Sequence, residues 1–371
     1  MKKMWTLALA ALLVAGLAFS APAATFKIGD ADFGIAGQVR INAAYQITDK
    51  GDVAEGASDS ETDFFLKHPG NSRLSVWSKY DNMTGFIEMG FKEGNVLETR
   101  HAFMNYDMGG GSSITIGQTY SALALHFAEQ EMKGSLSLFG FGNLYSGRVP
   151  MIRYTKKGEA YTLMLELENT DTAERTGYTT DEITPALVGS LEYRTGGLAL
   201  TPSFLMQQYE LTADAAGLDD ERVFAYAVAL DAVYKFTNGF QLDGEVWYGE
   251  NVGAFADAFD MVRNSGFGAP EYESDGDVKN IASFGGWAQA SIPVEPVVVH
   301  VGGGYQEAEV EDAGTADSME RYGAFVNFSY YATPQFLIQP EIAYFSYGKD
   351  NNDVNEYGSD TYYGVHFRYS F

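Results

Sequence analysis

The chain has 371 residues, with 24 Lys and Arg against 50 Asp and Glu and a formal net charge of −26. So acidic a protein repels phosphate backbones, which argues against a nucleic-acid partner, and the absence of cysteine removes disulfides, thiolate metal sites and a cysteine nucleophile. With 46% hydrophobic residues, 24 Tyr, 25 Phe and 41 Gly against 10 Pro, the composition excludes full disorder and favours β structure.

Met1, Lys2 and Lys3 form a short basic start, Trp5 to Phe19 an apolar run, and Ala21, Pro22 and Ala23 a small-residue processing pattern. The run is shorter than the ~20 residues of a spanning helix. Residues 1–23 therefore read as a secretory signal peptide cleaved after Ala23, rather than as an anchor. No cysteine follows, so it is not a lipoprotein signal. Past residue 23 no window is apolar enough for a spanning helix. Residues 24–371 are then either a soluble exported protein or a membrane β-barrel.

From residue 33 onward the apolar pattern has period two. Phe33, Ile35, Val39, Ile41, Tyr45 and Ile47 share one face of the first strand, and Gln38, Arg40, Asn42 and Gln46 the other. Tyr161, Leu163, Leu165 and Leu167 alternate with Thr162, Met164, Glu166 and Glu168, and residues 222–236 repeat the pattern. The last strand sets Tyr363, Val365, Phe367, Tyr369 and Phe371 against Gly364, His366, Arg368 and Ser370. Such alternation means one greasy and one wet face. Strands long enough to cross a bilayer (~9–11 residues) with aromatic ends favour a membrane barrel over a soluble sandwich.

Short connectors at 81–84, 109–112, 156–158, 195–197, 237–239, 293–296 and 332–334 carry turn residues. Longer connectors alternate with them at 48–71, 94–97, 121–148, 169–184, 211–221, 251–280, 309–318 and 349–359; only 94–97 is brief. Together they join sixteen strands centred near 40, 76, 89, 103, 116, 152, 164, 190, 204, 229, 245, 286, 302, 326, 341 and 366. The expected fold is all-β: a transmembrane antiparallel barrel of residues 24–371, wide enough to hold a water channel.

Acidic residues crowd the long loops: Asp49, Asp52, Glu55, Asp59, Glu61 and Asp63 in the first, Asp257, Asp260, Glu271, Glu273, Asp275 and Asp277 in the sixth, and Glu309, Glu311, Asp312 and Asp317 in the seventh. They either solvate the outer surface or hold Ca²⁺ or Mg²⁺, in a defined site or as bridges to lipopolysaccharide. No EF-hand spacing is present.

On the wet faces, His366, Arg368, Arg40, Arg73, Lys79 and Lys92 fall on strands that become neighbours when the sheet closes, and Arg153 joins them if the third loop leans that way. Glu166, Glu168, Glu192, Asp243 and Glu245 fall on a distant wall. Such segregation either sets a transverse field at a constriction or reflects local pairs that wet the lumen. The third long loop, 121–148, is less acidic and carries Leu123, Leu125, Phe127, Leu136, Leu138, Phe139, Phe141 and Tyr145. An apolar loop of this length does not sit in open water. Folded into the barrel mouth, it narrows the pore and brings Glu129, Glu131 and Lys133 to the narrowest part; a subunit contact would bury it as well.

The signal peptide, the strand count, the inward-looking third loop and the terminal Phe371 together resemble the trimeric general porins of Gram-negative bacteria. Within residues 98–169, RHAF (100–103), IGQTYSAL (116–123), RVPMIRYT (148–155) and LELEN (165–169) resemble the porins implicated in uptake of dicarboxylic and aromatic acids. The third loop departs in its own detail, so substrate preference does not carry over. The resemblance implies a homotrimer whose C-terminal strand 363–371 is read by the barrel-insertion machinery; the expected protein needs no cofactor, sits among outer-membrane lipids and lipopolysaccharide, and passes small hydrophilic solutes and ions.

Gly286, Ala288, Ala290, Gly303, Gly37 and Ala43 fall on outward faces, where small side chains allow close subunit approach. Arg40, Arg73, Arg153 and Arg368 present planar donor forks suited to small carboxylates. Two other functions compete with a channel. An enzyme is disfavoured: His68, His101, His126, His300 and His366 sit in no G-x-S-x-G or H-E-x-x-H pattern. A plugged adhesin or structural barrel would need a plug, and only Ala24 to Asp32 precedes the first strand.

Overall fold

The computed structural model describes residues 24–51, 60–92, 96–133, 137–170, 178–213, 220–254, 271–272, 278–310, 318–348 and 357–371. The proposed signal peptide lies outside the described residues. The strands, in chain order, are β1 (Ala24–Ile28), β2 (Ala31–Asp49), β3 (Glu61–Lys67), β4 (Ser72–Tyr80), β5 (Met83–Lys92), β6 (Val96–Gly109), β7 (Ser112–Tyr120), β8 (Arg148–Lys157), β9 (Tyr161–Glu168), β10 (Tyr178–Glu182) and β11 (Ala186–Thr195). They continue with β12 (Leu198–Ala213), β13 (Glu221–Lys235), β14 (Gln241–Glu250), β15 (Glu271–Tyr272), β16 (Val278–Lys279), β17 (Ile281–Val294), β18 (Val297–Val310), β19 (Ser318–Thr333), β20 (Phe336–Ser346) and β21 (Ser359–Ser370).

β3 and β4 run end to end along one edge of β2, and β10 and β11 do the same along β12. Counted this way, the sheet has sixteen staves, each antiparallel to the next. It closes where β21 returns to β2, in register from Gln38↔Ser370 to Asp49↔Ser359. All sixteen expected strand centres fall inside observed strands. Two expected connectors, and the segment before the first strand, are more ordered than their polarity implied. Residues 61–67, inside the first acidic loop, extend the wall as β3, and residues 178–182 extend it as β10. The segment before the first strand folds back as β1, in a hairpin with the start of β2 (Phe26↔Phe33). In each case an adjoining strand offers a free ladder edge, and a backbone that would otherwise be hydrated pairs with it.

The alternating residues explain the closure. Outward positions such as Val39, Val246, Phe328 and Ile342 are exposed, as a lipid-facing band requires. Tyr80, Tyr106, Tyr154, Tyr193, Tyr234 and Tyr330 stand outward near the short turns, and Tyr45, Phe224, Tyr248, Phe284, Tyr322 and Tyr363 near the long loops. These are the two aromatic girdles of a membrane barrel. The tight turns use residues that accept a left-handed backbone: Gly110 (φ 60°) and Gly196 (φ 57°) sit between paired strands.

Among the described residues there is no central core. Instead, two apolar clusters line the wall and are covered by residues of the third loop. Leu123 and Leu144 pack on Val188, Leu205, Val223 and Trp247. Met132, Leu138 and Phe141 pack on Trp287, Phe325, Ala343 and Phe345.

Candidate functional site in the lumen

Lumen-facing side chains from separate strands hold the third loop by its backbone. Glu341 on β20 accepts the N–H groups of Glu131 (2.9 Å) and Met132 (2.8 Å) and the side-chain amide of Gln130 (3.1 Å). Gln289 on β17 accepts Glu129 N–H at 2.7 Å, Gln306 on β18 accepts Gly142 N–H at 3.0 Å, and Glu245 on β14 accepts Leu144 N–H at 2.8 Å. Glu166 on β9 accepts Ala122 N–H. Trp247 donates its indole N–H to the Gly142 carbonyl at 2.8 Å. Gly142 has φ 115° and rests against Gly286 and Gly304, where any Cβ would collide with their backbone. A loop this apolar, with its backbone groups met by wall acceptors, is buried inside the barrel without orphan N–H groups at these contacts.

One side of the lumen is basic. A bulge in β6 sets Thr99 opposite Met89 and His101 opposite Glu88, which turns both Arg100 and His101 inward. Arg100 Nε donates to Glu88 at 2.8 Å, and Arg73 Nε lies 3.6 Å from the other Glu88 oxygen. Arg40 reaches Glu131 of the loop at 3.4 Å, and Arg148 reaches Glu98 at 3.8 Å. Arg368 extends to the Tyr331 hydroxyl at 3.1 Å. Thus Arg40, Arg73, Arg100, Arg148 and Arg368 face Glu88, Glu98 and Glu131, and among the described residues positive charge is in excess on this side.

The opposite side is acidic. Asp231 and Glu245 are cross-strand partners, with Asp243 and Glu192 nearby on the same wall. His126 of the loop comes within 3.6 Å of Asp231, an ion-pair distance rather than a hydrogen bond. Burial pulls the His126 pKa down, but Asp231, helped by Glu192 and Asp243, wins and raises it above the ordinary imidazole value. Glu129 is exposed in the lumen between the walls, influenced by Arg368 and Arg40 on one side and Asp243 on the other. The enclosing walls, and then Glu131, raise its pKa above the usual glutamate value.

No family model matches the chain, and no curated protein does. Solved structures do. The outer-membrane channel DcaP of Acinetobacter baumannii superposes with a TM-score of 0.73 at 18% identity, over 94% of this chain and 100% of that one. An anion-selective porin from Comamonas acidovorans gives 0.60 at 14% identity, over 92% and 100%. OmpF of Salmonella typhi, in complex with daunomycin, gives 0.59 at 13% identity, over 94% and 100%. The chain has the outer-membrane porin fold.

In this porin-fold lumen the residues singled out from sequence take different roles. Arg40, Arg73 and Arg368 stand together on the basic side. Arg153 is inward but buried, committed to Glu166 and the Tyr120 carbonyl. Lys79 is exposed on β4, one residue from a short turn, and the Lys92 side chain lies outside the described residues. His366 is buried, its Nδ1 2.6 Å from Asn42 Oδ1 and its Nε2 3.9 Å from Glu131. Glu166 and Glu245 anchor the loop, Glu168 is buried beside Glu166, and Glu192 pairs with Arg194 at 2.8 Å. Asp243 accepts from Gln241 at 2.6 Å and Gln289 at 3.3 Å. Lys133 donates to Tyr347 and lies 3.4 Å from Asp360.

Sequence reasoning missed Arg100, Arg148, Glu88, Asp231 and Glu341 as site residues. For Arg100 a signal exists: Arg100 and His101 are adjacent polar residues that break the alternation, the mark of a bulge. It also missed the ring cluster beside the arginines. Phe139 stacks on Tyr145 at 4.1 Å, Phe127 lies 5.4 Å from Phe139 and 5.7 Å from Tyr120, and Arg148 covers the Tyr120 ring at 5.4 Å. His300 lies between Ser291 (2.9 Å) and Ser329 (3.2 Å). A serine occupies the position where a hydrolytic triad carries a carboxylate. Among the described residues no three His, Asp or Glu side chains converge as metal ligands. Asp52, Glu55, Asp59, Asp257, Asp260, Glu273, Asp275, Asp277, Glu311, Asp312 and Asp317 lie outside the described residues.

Proposed function

We propose that this chain forms a water-filled outer-membrane channel through which small hydrophilic solutes and ions diffuse passively, with a preference for small carboxylates. The observation that carries this reading is the excess of inward-facing arginines opposite an acidic wall, at the level where the third loop crosses the lumen. Guanidinium groups bind carboxylates through paired N–H donors, and the opposing acids keep the binding weak enough for release. The aromatic cluster beside Arg148 and Tyr120 offers apolar contact to the body of such a solute. The same reading includes export with a cleaved signal peptide, insertion through the C-terminal strand, assembly as a homotrimer and no enzymatic activity. The acidic outer loops suit divalent bridges to lipopolysaccharide phosphates.

Planar-bilayer recording tests this. Purified protein should conduct in steps, with a reversal potential in a salt gradient that favours anions and succinate flux above that of a neutral solute of equal size. Protein that inserts and never conducts would favour an adhesin or structural barrel.

A further inference from the structure

Arg321 stands apart from the lumen arginines. It sits on the inward face of β19, three residues from the strand's outer end, and is 2% exposed. Among the described residues, none offers a hydrogen-bond partner to Nε, Nη1 or Nη2. The acceptors beside it are committed elsewhere. Gln306, its cross-strand neighbour, gives its side-chain carbonyl to Gly142 N–H at 3.0 Å. The Tyr347 hydroxyl accepts from Lys133 and donates to Asp360 at 2.6 Å.

Two aromatic rings flank the guanidinium, Tyr347 at 5.8 Å and Phe141 at 6.0 Å. Ring faces stabilise a cation but do not satisfy N–H donors that point along the guanidinium plane. Lys133 packs against the same rings, 4.4 Å from Tyr347 and 4.9 Å from Phe141. Lys133 pairs with Asp360, whereas among the described residues no carboxylate reaches the Arg321 nitrogens, so the guanidinium charge is uncompensated there. A buried charge without a partner is costly.

We propose that Arg321 is the centre of a closed site for one small, weakly hydrated monoanion of the halide class, held by the guanidinium edge near Lys133 and walled by Phe141 and Tyr347. Its near-complete burial excludes large solutes, and its apolar ring walls favour anions that shed water readily. The charge arithmetic calls for a single negative charge. Because Phe141 belongs to the third loop and Tyr347 follows β20, the bound ion ties the loop tip to the barrel wall. The site is separate from the solute path along Arg40, Arg73, Arg100, Arg148 and Arg368.

Crystals of the full protein grown in sodium bromide test this directly. An anomalous peak within hydrogen-bond distance of the Arg321 nitrogens, absent in Arg321→Met, is expected. A water there without anomalous signal, or a carboxylate of the chain itself within 3.5 Å of Arg321, would overturn it. A solution measurement on wild type needs no variant: the thermal midpoint should rise with bromide or chloride relative to gluconate at equal ionic strength. Arg321→Met should lose that difference. Equal midpoints in the three salts for wild type would sink the proposal.

Discussion

Phe371 lays its ring over Gly37. The two residues exchange backbone hydrogen bonds of 2.8 and 3.0 Å, and a Cβ at position 37 would approach the ring to 2.5 Å. Gly37, first read as a small outward residue suited to subunit contact, is the seat of the aromatic that ends the closing strand. Gly37→Val should therefore impair closure by overpacking, about 1–3 kcal/mol for such a change. Deleting Phe371 should leave secreted chain in the periplasm. Heat-modifiability on gels and outer-membrane fractionation check both; normal yields of folded barrel for both variants would dismiss this role.

The basic wall should set selectivity. Arg40→Ala and Arg368→Ala are expected to shift the reversal potential toward cations and lower succinate flux. Arg100→Ala should do so more strongly, because it also leaves the buried Glu88 carboxylate with Arg73 as its nearest cation at 3.6 Å. Unchanged reversal potentials in all three would make these arginines ordinary wall residues. The effect should fade at high salt as screening lengths shrink to ~3 Å at 1 M.

Glu341 should govern how firmly the third loop sits. Glu341→Ala removes the acceptor for the Glu131 and Met132 N–H groups and the Gln130 amide, and an orphaned buried donor costs about 1–3 kcal/mol. Single-channel records of the variant should show larger and noisier conductance than wild type. A quiet, unchanged channel would count against the loop being held this way.

His126 predicts a pH dependence. Its folded-state pKa is raised, with Asp231 overcoming the effect of burial. The contact therefore stabilises fully below the unfolded imidazole value of about 6.5 and fades as pH rises through the higher folded value. The difference in thermal midpoint between wild type and His126→Gln should be greatest in mild acid and shrink on going alkaline. A difference that grows with pH would contradict the sign.

Much of the barrel was legible from residues because a lipid-facing strand has no freedom about its outward side chains. The run from Tyr363 to Phe371 allows one facing only. The lumen was harder. Arg40, Arg73 and Arg368 follow from simple alternation, whereas Arg100 faces inward through a bulge that shifts the period by one. Glu166 and Glu245 read as wall charges because, apart from the Arg153 partner of Glu166, the groups that engage them are loop N–H groups, which every residue but proline carries and no sequence pattern marks. β3 and β10 were hidden for a related reason: polar residues at a free ladder edge extend the sheet even where their side chains suggest loop.

The loop is fastened largely through peptide groups, so its tether is indifferent to many of the side chains it displays. Phe127, Glu129, Phe139 and Tyr145 can be exchanged while Gln289, Gln306, Glu245 and Glu341 keep their grip on the main chain. The barrel thus works as a fixed frame with an interchangeable aperture. New solute preferences are reachable by rewriting a few positions on one segment, without rebuilding the wall that holds it.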